Sequence, residues 1–268
     1  MKIKNKRRLA AGLAIAGLAL GFYVNNQCFV AREKDIRITS AKVDEPIKIT
    51  QISDFHSNVL KNLDETIANI KDFDPDFIVL TGDIIDYGTD KKIERSVYFL
   101  KHLMTLGKDT YYITGNHEEG GPNLSKFLNE IDRLGIIYLN NEGKELEIKG
   151  QKVYLYGTGM YNFSLESYKP SNDSLNIILS HFSKNIRDNY RDDIDLVLSG
   201  HTHGGQVRAP IIGGLIAPGE GIFPDYDKGI YKFKNSVIYV DSGLGNTFLP
   251  LRILDPIGYS NITIAPVV

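Results

Sequence analysis

Among its 268 residues the sequence has one cysteine, Cys28, and no tryptophan. A lone cysteine excludes an intramolecular disulfide framework and a cysteine-based zinc site. There is no internal repeat and no low-complexity stretch. With 42% hydrophobic and 24% charged residues, the chain is not intrinsically disordered. Its length suits one catalytic-size domain, or two small ones, with a core large enough to need no staples. Positive charge is scarce once the N-terminus is passed. Lys2, Lys4, Lys6, Arg7 and Arg8 leave 26 basic against 33 acidic residues in the rest. Such a body is a poor general binder of nucleic acid, because phosphate contacts need clustered Lys and Arg. Any phosphate handled here has to meet positive charge from another source.

One long apolar run is present. Residues 9–24 carry no charge and follow the basic cluster directly, the pattern of an export signal or an N-terminal anchor. No good cleavage site follows the run. Asn25, Asn26 and Gln27 do not form a lipobox before Cys28, and Arg7-Arg8 lack the flanking residues of a twin-arginine signal. The positive-inside rule places residues 2–8 in the cytoplasm and the chain after Val24 outside. The expected location is the cell membrane, with a single N-terminal anchor and an extracytoplasmic domain; export by cleavage is the alternative. A buried core helix is the other reading, but core helices seldom have so uniform an apolar circumference. Residues 1–26 are assigned to the anchor or signal, 27–45 to a linker with a first short strand at 35–43, and 46–268 to the domain.

Apolar periodicity predicts strands at 47–52, 77–80 and 110–113 and helices at 63–73, 93–106 and 124–134. This alternation implies an α/β sheet covered by helices. After Ile136 the character changes. Short strands at 136–139, 146–149, 153–157, 177–179, 196–198 and 237–240 have little helix between them, which suggests a second sheet packed on the first. Residues 204–229, rich in Gly and Pro, read as a long irregular loop.

Five of the six histidines share one context. Asp54-Phe55-His56, Asp83, Asn116-His117, His181 and His201-Thr202-His203 each follow a predicted strand. The sixth, His102, lies inside a predicted helix and reads as structural or exposed. Strand ends at one sheet edge converge in space. Imidazoles gathered there would repel when protonated and cost desolvation when buried, and a metal resolves both problems. Mixed nitrogen and oxygen donors suit Mn, Zn or Fe rather than Ca. The ligands are too many for one tetrahedral site. Two divalent ions with Asp83 as a bridge fit better, and they would also attract the phosphate that an acidic body does not.

Taken singly, these residues have ordinary readings. Asp54 and Asn116 alone would be helix caps or turn residues, and Gly82 and Gly115 turn glycines. The ordered set is specific. Asp54-x-His56, Gly82-Asp83, Gly115-Asn116-His117-Glu118, His181 and Gly200-His201-Thr202-His203 resemble the calcineurin-like metallophosphoesterase signature, and the resemblance extends over about 46–268. The GHTHGGQ form of the last block, with the apolar N-terminus, is similar to the bacterial membrane-associated branch. The resemblance implies a four-layer αββα sandwich with two packed mixed sheets. It implies that Asp54, His56, Asp83 and His203 hold one metal and that Asp83, Asn116, His181 and His201 hold the other. It also implies that His117 is a catalytic residue facing the phosphate, with Asp86 orienting it; Asp86 has the alternative of capping the next segment. Glu118 and Glu119 are expected to support the site or face solvent.

The substrate is the least legible part. Mono-, di- and pyrophosphate esters all suit such a centre, so selectivity falls to loops. The candidates are phosphorylated small molecules, lipids or wall polymers, reached through membrane attachment by the N-terminal segment. The apolar, uncharged segment 209–218 is expected to pack on its own domain; the sharper alternative is a lip that touches lipid. Arg208 and Arg252 are the candidate phosphate contacts, with surface ion pairing as their ordinary role. The leading reading is a membrane-anchored two-metal phosphoesterase. The competing ones are an intracellular nucleotide phosphodiesterase and a non-catalytic metal-dependent scaffold.

Overall fold

The computed structural model describes residues 2–87, 89–247 and 249–267. The side chains of Lys2, Lys4 and Arg7, part of the basic cluster, lie outside the described residues. Helix α1 (Lys2–Phe29) runs into β1 (Arg32–Ser40) and β2 (Ile47–Ile52). Next come α2 (Leu63–Phe73), β3 (Phe77–Thr81), α3 (Asp90–Met104), β4 (Thr110–Ile113), α4 (Asn116–Glu119), α5 (Leu124–Arg133) and β5 (Ile137–Tyr138). The strand-rich half holds β6 (Glu142–Ile148), β7 (Gln151–Gly157), β8 (Leu175–Leu179), α6 (Ser183–Asp188) and β9 (Leu196–Ser199). Two short ribbons follow, β10 (Arg208–Ala209) with β11 (Gly213–Gly214) and β12 (Ile216–Ala217) with β13 (Gly221–Ile222). The chain ends in β14 (Gly229–Phe233), β15 (Ser236–Val240) and β16 (Gly258–Pro266).

The strands form two six-stranded sheets, ordered β1-β16-β2-β3-β4-β5 and β14-β15-β9-β8-β7-β6. Both are mixed. β2 to β5 run parallel while β16 is antiparallel to β2, and β7, β8, β9 and β15 run parallel between antiparallel edge strands. The uninterrupted apolar runs explain the layering. In β3, Phe77 and Val79 enter the core between the sheets, while Ile78 and Leu80 face α2, α3 and α5. In β8, Leu175, Ile177 and Leu179 fill the inter-sheet core and Ile178 faces outward onto Ile186 of α6. A strand buried on both faces cannot alternate with polar residues, so it reads as a continuous hydrophobic run. The architecture is therefore helices, sheet, sheet, and an outer layer with α6 and buried Tyr168.

The structure departs from the expected boundaries in informative places. No free linker separates the N-terminal helix from the fold, because α1 continues to Phe29 and β1 begins at Arg32, pairing with β16 along its whole length. β16 itself was not visible as a periodic strand. It is buried on both faces yet carries Ser260 and Asn261, whose side chains find partners in Tyr239 and Thr50. The Gly/Pro-rich stretch is not wholly irregular, since it contains the two ribbons. Nor does it pack entirely on its own domain: Ile211, Ile212 and Ile216 are exposed.

Candidate metal centre

The C-terminal ends of β2, β3 and β4 in one sheet and of β8 and β9 in the other meet along one edge. β2 delivers Asp54 and His56, β3 delivers Asp83, β4 delivers Asn116 and His117 through α4, β8 delivers His181, and β9 delivers His201 and His203. Crowding at this edge forces unusual backbone. Asp54, His56, Asp83, His201 and His203 all have φ between +48° and +73°, a region that non-glycine residues rarely occupy and that is held only where the surroundings over-determine it. Gly82, at φ +90°, and Gly115 make the close approach possible. A Cβ on Gly82 would lie 2.6 Å from His181 Nδ1, and one on Gly115 would lie 2.2 Å from Asp83 Oδ1.

Two ligand groups result. In the first, His56 Nε2 lies 3.1 Å from His203 Nε2. Asp54 Oδ1 is 3.4 Å from His203 Nε2 and 3.9 Å from His56 Nε2, and Asp83 Oδ2 is 3.6 Å from His56 Nε2. In the second, His181 Nε2 lies 3.3 Å from both Asp83 Oδ2 and His201 Nδ1. Donors bonded tetrahedrally to a divalent ion at about 2.0–2.2 Å stand about 3.3–3.6 Å apart, which matches this spacing. Asn116 Oδ1 and His56 Nδ1 are buried and have no hydrogen-bond partner among the described residues. A free amide oxygen at this edge is the donor expected of a ligand.

Electrostatics point the same way. Burial holds His56 down at about 4 and His203 well below the ordinary imidazole range. Two neutral rings with Nε2 atoms 3.1 Å apart either share one proton or turn both lone pairs to a cation, and the second arrangement is that of a ligand pair. Burial also pushes Asp54 up to about 6, against hydrogen bonds from Ser53 Oγ and the His201 amide. Burial would lower His181, but facing Asp83 outweighs it and raises His181 to about 10. Asp83 is in turn held far below the ordinary carboxylate range by the imidazoles around it, despite its own burial. In the metal-free chain this pair carries one proton on His181, which a cation would displace.

His117 falls within a third donor group, with His56 and Asp83, and is the member that also has a carboxylate partner on its other nitrogen. Its Nδ1 lies 3.0 Å from Asp86 Oδ1, and its Nε2 lies 4.0 Å from Asp83 Oδ2. Tyr87 packs on the ring with centroids 4.1 Å apart. Burial lowers the imidazole, but the Asp86 hydrogen bond and the Asp83 charge win and raise it. Asp86, in turn held down to about 2 by that hydrogen bond, also pairs with Lys92. Glu118 is wholly buried and accepts from the amides of Asp83 at 2.9 Å, Ile85 at 3.0 Å and Gly115 at 2.8 Å. It ties the β3 and β4 loops together. Glu119 accepts from Thr114, Met160 and Tyr161.

The two arginines expected to touch phosphate are turned inward. Arg252 is fully buried, and its guanidinium donates to His203 O, Ser242 O, Gly245 O and Asp255. It buttresses the His203 loop from behind and has no face open to a substrate. Arg208 donates to Gly204 O at 2.7 Å and to Asp227 Oδ2 at 2.5 Å, which is the ion-pair alternative. His102 sits on α3 with Nδ1 2.8 Å from Tyr98 O. The sequence reading missed Ser53 and the turn at 243–245. A Cβ on Gly243 would lie 2.7 Å from Asp54 Cβ. The Asp-Ser-Gly-Leu-Gly run after β15 repeats the strand-end pattern of the other blocks and was the available signal.

Residues 47–205 match the family model described as calcineurin-like phosphoesterase. The chain is 31% identical over 260 residues to the uncharacterized metallophosphoesterase YkuE of Bacillus subtilis, covering 92% of this chain and 90% of that one. It is 27% identical over 257 residues to the phosphodiesterase YaeI of Escherichia coli, covering 92% and 94%. Among solved structures it is similar in fold to the NAD nucleotidase of Haemophilus influenzae, with a TM-score of 0.51 and 17% identity over 75% of this chain and 45% of that one. The chain belongs to the calcineurin-like phosphoesterase family of metal-dependent phosphoric ester hydrolases.

Proposed function

We propose that the chain is a binuclear-metal phosphoesterase, held at the cell membrane by α1 with its catalytic domain outside, that hydrolyses a phosphodiester or pyrophosphate bond of an envelope-associated molecule. The carrying observation is a set of overlapping donor groups, Asp54-His56-His203, His56-Asp83-His117 and Asp83-His181-His201, in which His117 is the member held from behind by Asp86. Asp83 would be shared between the two ligand sets and Asn116 would complete the second; the buried Asn116 oxygen, without a hydrogen-bond partner among the described residues, supports this assignment. Two divalent ions, of Mn, Zn or Fe, would supply Lewis-acid polarisation of the phosphoryl group and offset its charge.

The protein's own groups do the rest. Asp86 fixes the ring of His117 through Nδ1 and leaves Nε2 facing the metal ligands. The same carboxylate keeps that imidazole protonated to higher pH, so Nε2–H serves as the donor to a phosphoryl oxygen and then to the departing oxygen. Glu118 keeps the Asp83 and Asn116 loops in register. The relative named phosphodiesterase supports preference for a diester. The apolar run of α1 supports the anchor: among the described residues one stretch, Arg8–Phe29, is long and apolar enough to cross a membrane or to act as a signal sequence.

The test is turnover by the full chain, loaded with Mn, of p-nitrophenyl phosphate, its bis-ester and its phosphorylcholine ester. Chelator-sensitive hydrolysis of the diesters, lost in His117→Ala with metal content intact, is expected. No turnover by folded, metal-loaded protein would move the reading to a scaffold. Reporter fusions after residue 30 test the topology, and a cytoplasmic reporter signal would favour the intracellular phosphodiesterase.

A further inference from the structure

The segment 208–223 crosses beside the metal centre and ends up exposed. Its inner side lies against the site: a Cβ on Gly219 would sit 3.2 Å from His201 Nε2 and 2.6 Å from Phe182 Cζ. Its outer side is apolar. Ile216 and Ile222 are cross-strand partners in the β12–β13 ribbon, so they share one face, and Ile222 is 70% exposed. Phe223 and Ile212 are exposed as well, and Ile211 projects wholly into solvent. Ile211 does so at φ +73°, where a β-branched residue is a genuine outlier. Residues 209–219 contain no charge. An apolar cluster of this kind marks an interaction surface rather than an ordinary soluble exterior.

The same cluster adjoins the root of α1. Ile211 and Leu254 line one shallow hollow, and the Leu254 amide donates to Tyr23 Oη at 3.0 Å. The end of α1 is fixed to the domain. Gln27 O accepts from the Ile257 amide at 2.9 Å, Cys28 O from Asn246 Nδ2 at 2.9 Å, and Phe29 O from the Lys61 amide at 2.8 Å. Tyr23 precedes Gln27 by four residues, about 6 Å along a helix. Leu254 therefore lies on the side toward which α1 emerges, where Leu9, Leu13, Ile15, Leu18, Leu20 and Phe22 are all exposed.

We infer that the apolar face of Ile211, Ile212, Ile216, Ile222, Phe223 and Leu254 seats in the surface of the lipid bilayer that α1 enters, and so holds the mouth of the metal centre against that surface. This rests on α1 being a membrane anchor. A bilayer is the occupant because the docked root of α1 brings it to this side of the domain, and because the charges that border the face, Arg208 and Glu220, are already paired with Asp227 and Arg187.

The absence of tryptophan allows a clean test. Single-tryptophan variants Ile212→Trp and Ile222→Trp of the full chain, in phosphatidylcholine vesicles with brominated acyl chains, report insertion by quenching and a blue shift. Leu18→Trp reports α1, and Tyr98→Trp, exposed on α3, reports a surface away from the ribbons. Loss of emission at 18, 212 and 222 but not at 98 is expected. Quenching at 18 with 212 and 222 behaving like 98 overturns the docking and leaves the anchor standing. Quenching at 212 and 222 but not at 18 overturns the anchor, and with it the docking as argued from the root of α1. No quenching at 18, 212 or 222 overturns both.

Discussion

At the scale of single residues, the site works by matching each side chain to one neighbour that fixes it. His117 is the clearest case. Asp86 raises its affinity for a proton, so a His117 that acts in its protonated form stays active to higher pH than a free imidazole would. Asp86→Asn removes that charge and lets the His117 value fall. The alkaline limb of the kcat/KM profile is then expected to move to lower pH, and an unmoved limb would mean that another group titrates there. His117→Ala is expected to lower kcat by about 10²–10⁴-fold, with the metal content measured by plasma emission unchanged. Glu118 has a different task. Glu118→Ala strands three buried amides, each loss costing about 1–3 kcal/mol. Its melting temperature should drop even where metal is saturating, and calorimetry reads this directly.

At the scale of elements, strand ends, their loops and the short α4 carry the chemistry, while α2, α3 and α5 cover the sheet. The parallel strands β2, β3 and β4 point the same way, so their C-terminal loops gather at one edge. The backbone there is too crowded for a Cβ at several positions, Gly82, Gly115, Gly200 and Gly243 among them. Gly115→Ala would press a methyl group into Asp83 Oδ1. It is expected to lower occupancy of the second metal site with little change in far-UV circular dichroism; full occupancy of both sites in this variant would disprove the reading of Gly115. The blocks that bear ligands were legible in the sequence, because each joins an apolar run to a small residue and a polar donor. β16 was not, and β1 (Arg32–Ser40) only in part, as the short strand expected at 35–43. They gain their stability from pairing with each other across most of the chain's length, a contact that no local window contains.

At the scale of the whole molecule, the metal centre clasps the two sheets together. Asp54, Asp83 and Asn116 belong to one sheet and His181, His201 and His203 to the other, so bound metal cross-links them. A ligand at a thousand times its dissociation constant adds about 4 kcal/mol, and each kcal/mol is worth about 2–4 °C in a chain near this size. Chelation should therefore lower the melting temperature by about 10 °C. Metal binding should also release protons. His181 is protonated in the metal-free chain because Asp83 faces it, and it must lose that proton to coordinate, so affinity should rise with pH across neutrality. Calorimetric titration in buffers of different ionisation enthalpy measures the release, and none at pH 7 would contradict the His181–Asp83 pair.

The sequence by itself determined the reaction class, the histidines and aspartates that gather as possible metal ligands, and an apolar helix at the N-terminus. Those features are local, since each ligand block follows its own strand and hydrophobicity is a property of the run. Only the tertiary structure decided the rest. It turned Arg252 inward beneath His203, because the buried carbonyls of that loop needed donors. It gave Glu118 three amides to hold, placed β16 between β1 and β2, and set the isoleucines of the 208–223 segment in the open beside the root of α1. Each of these depends on residues far apart in the chain meeting in space.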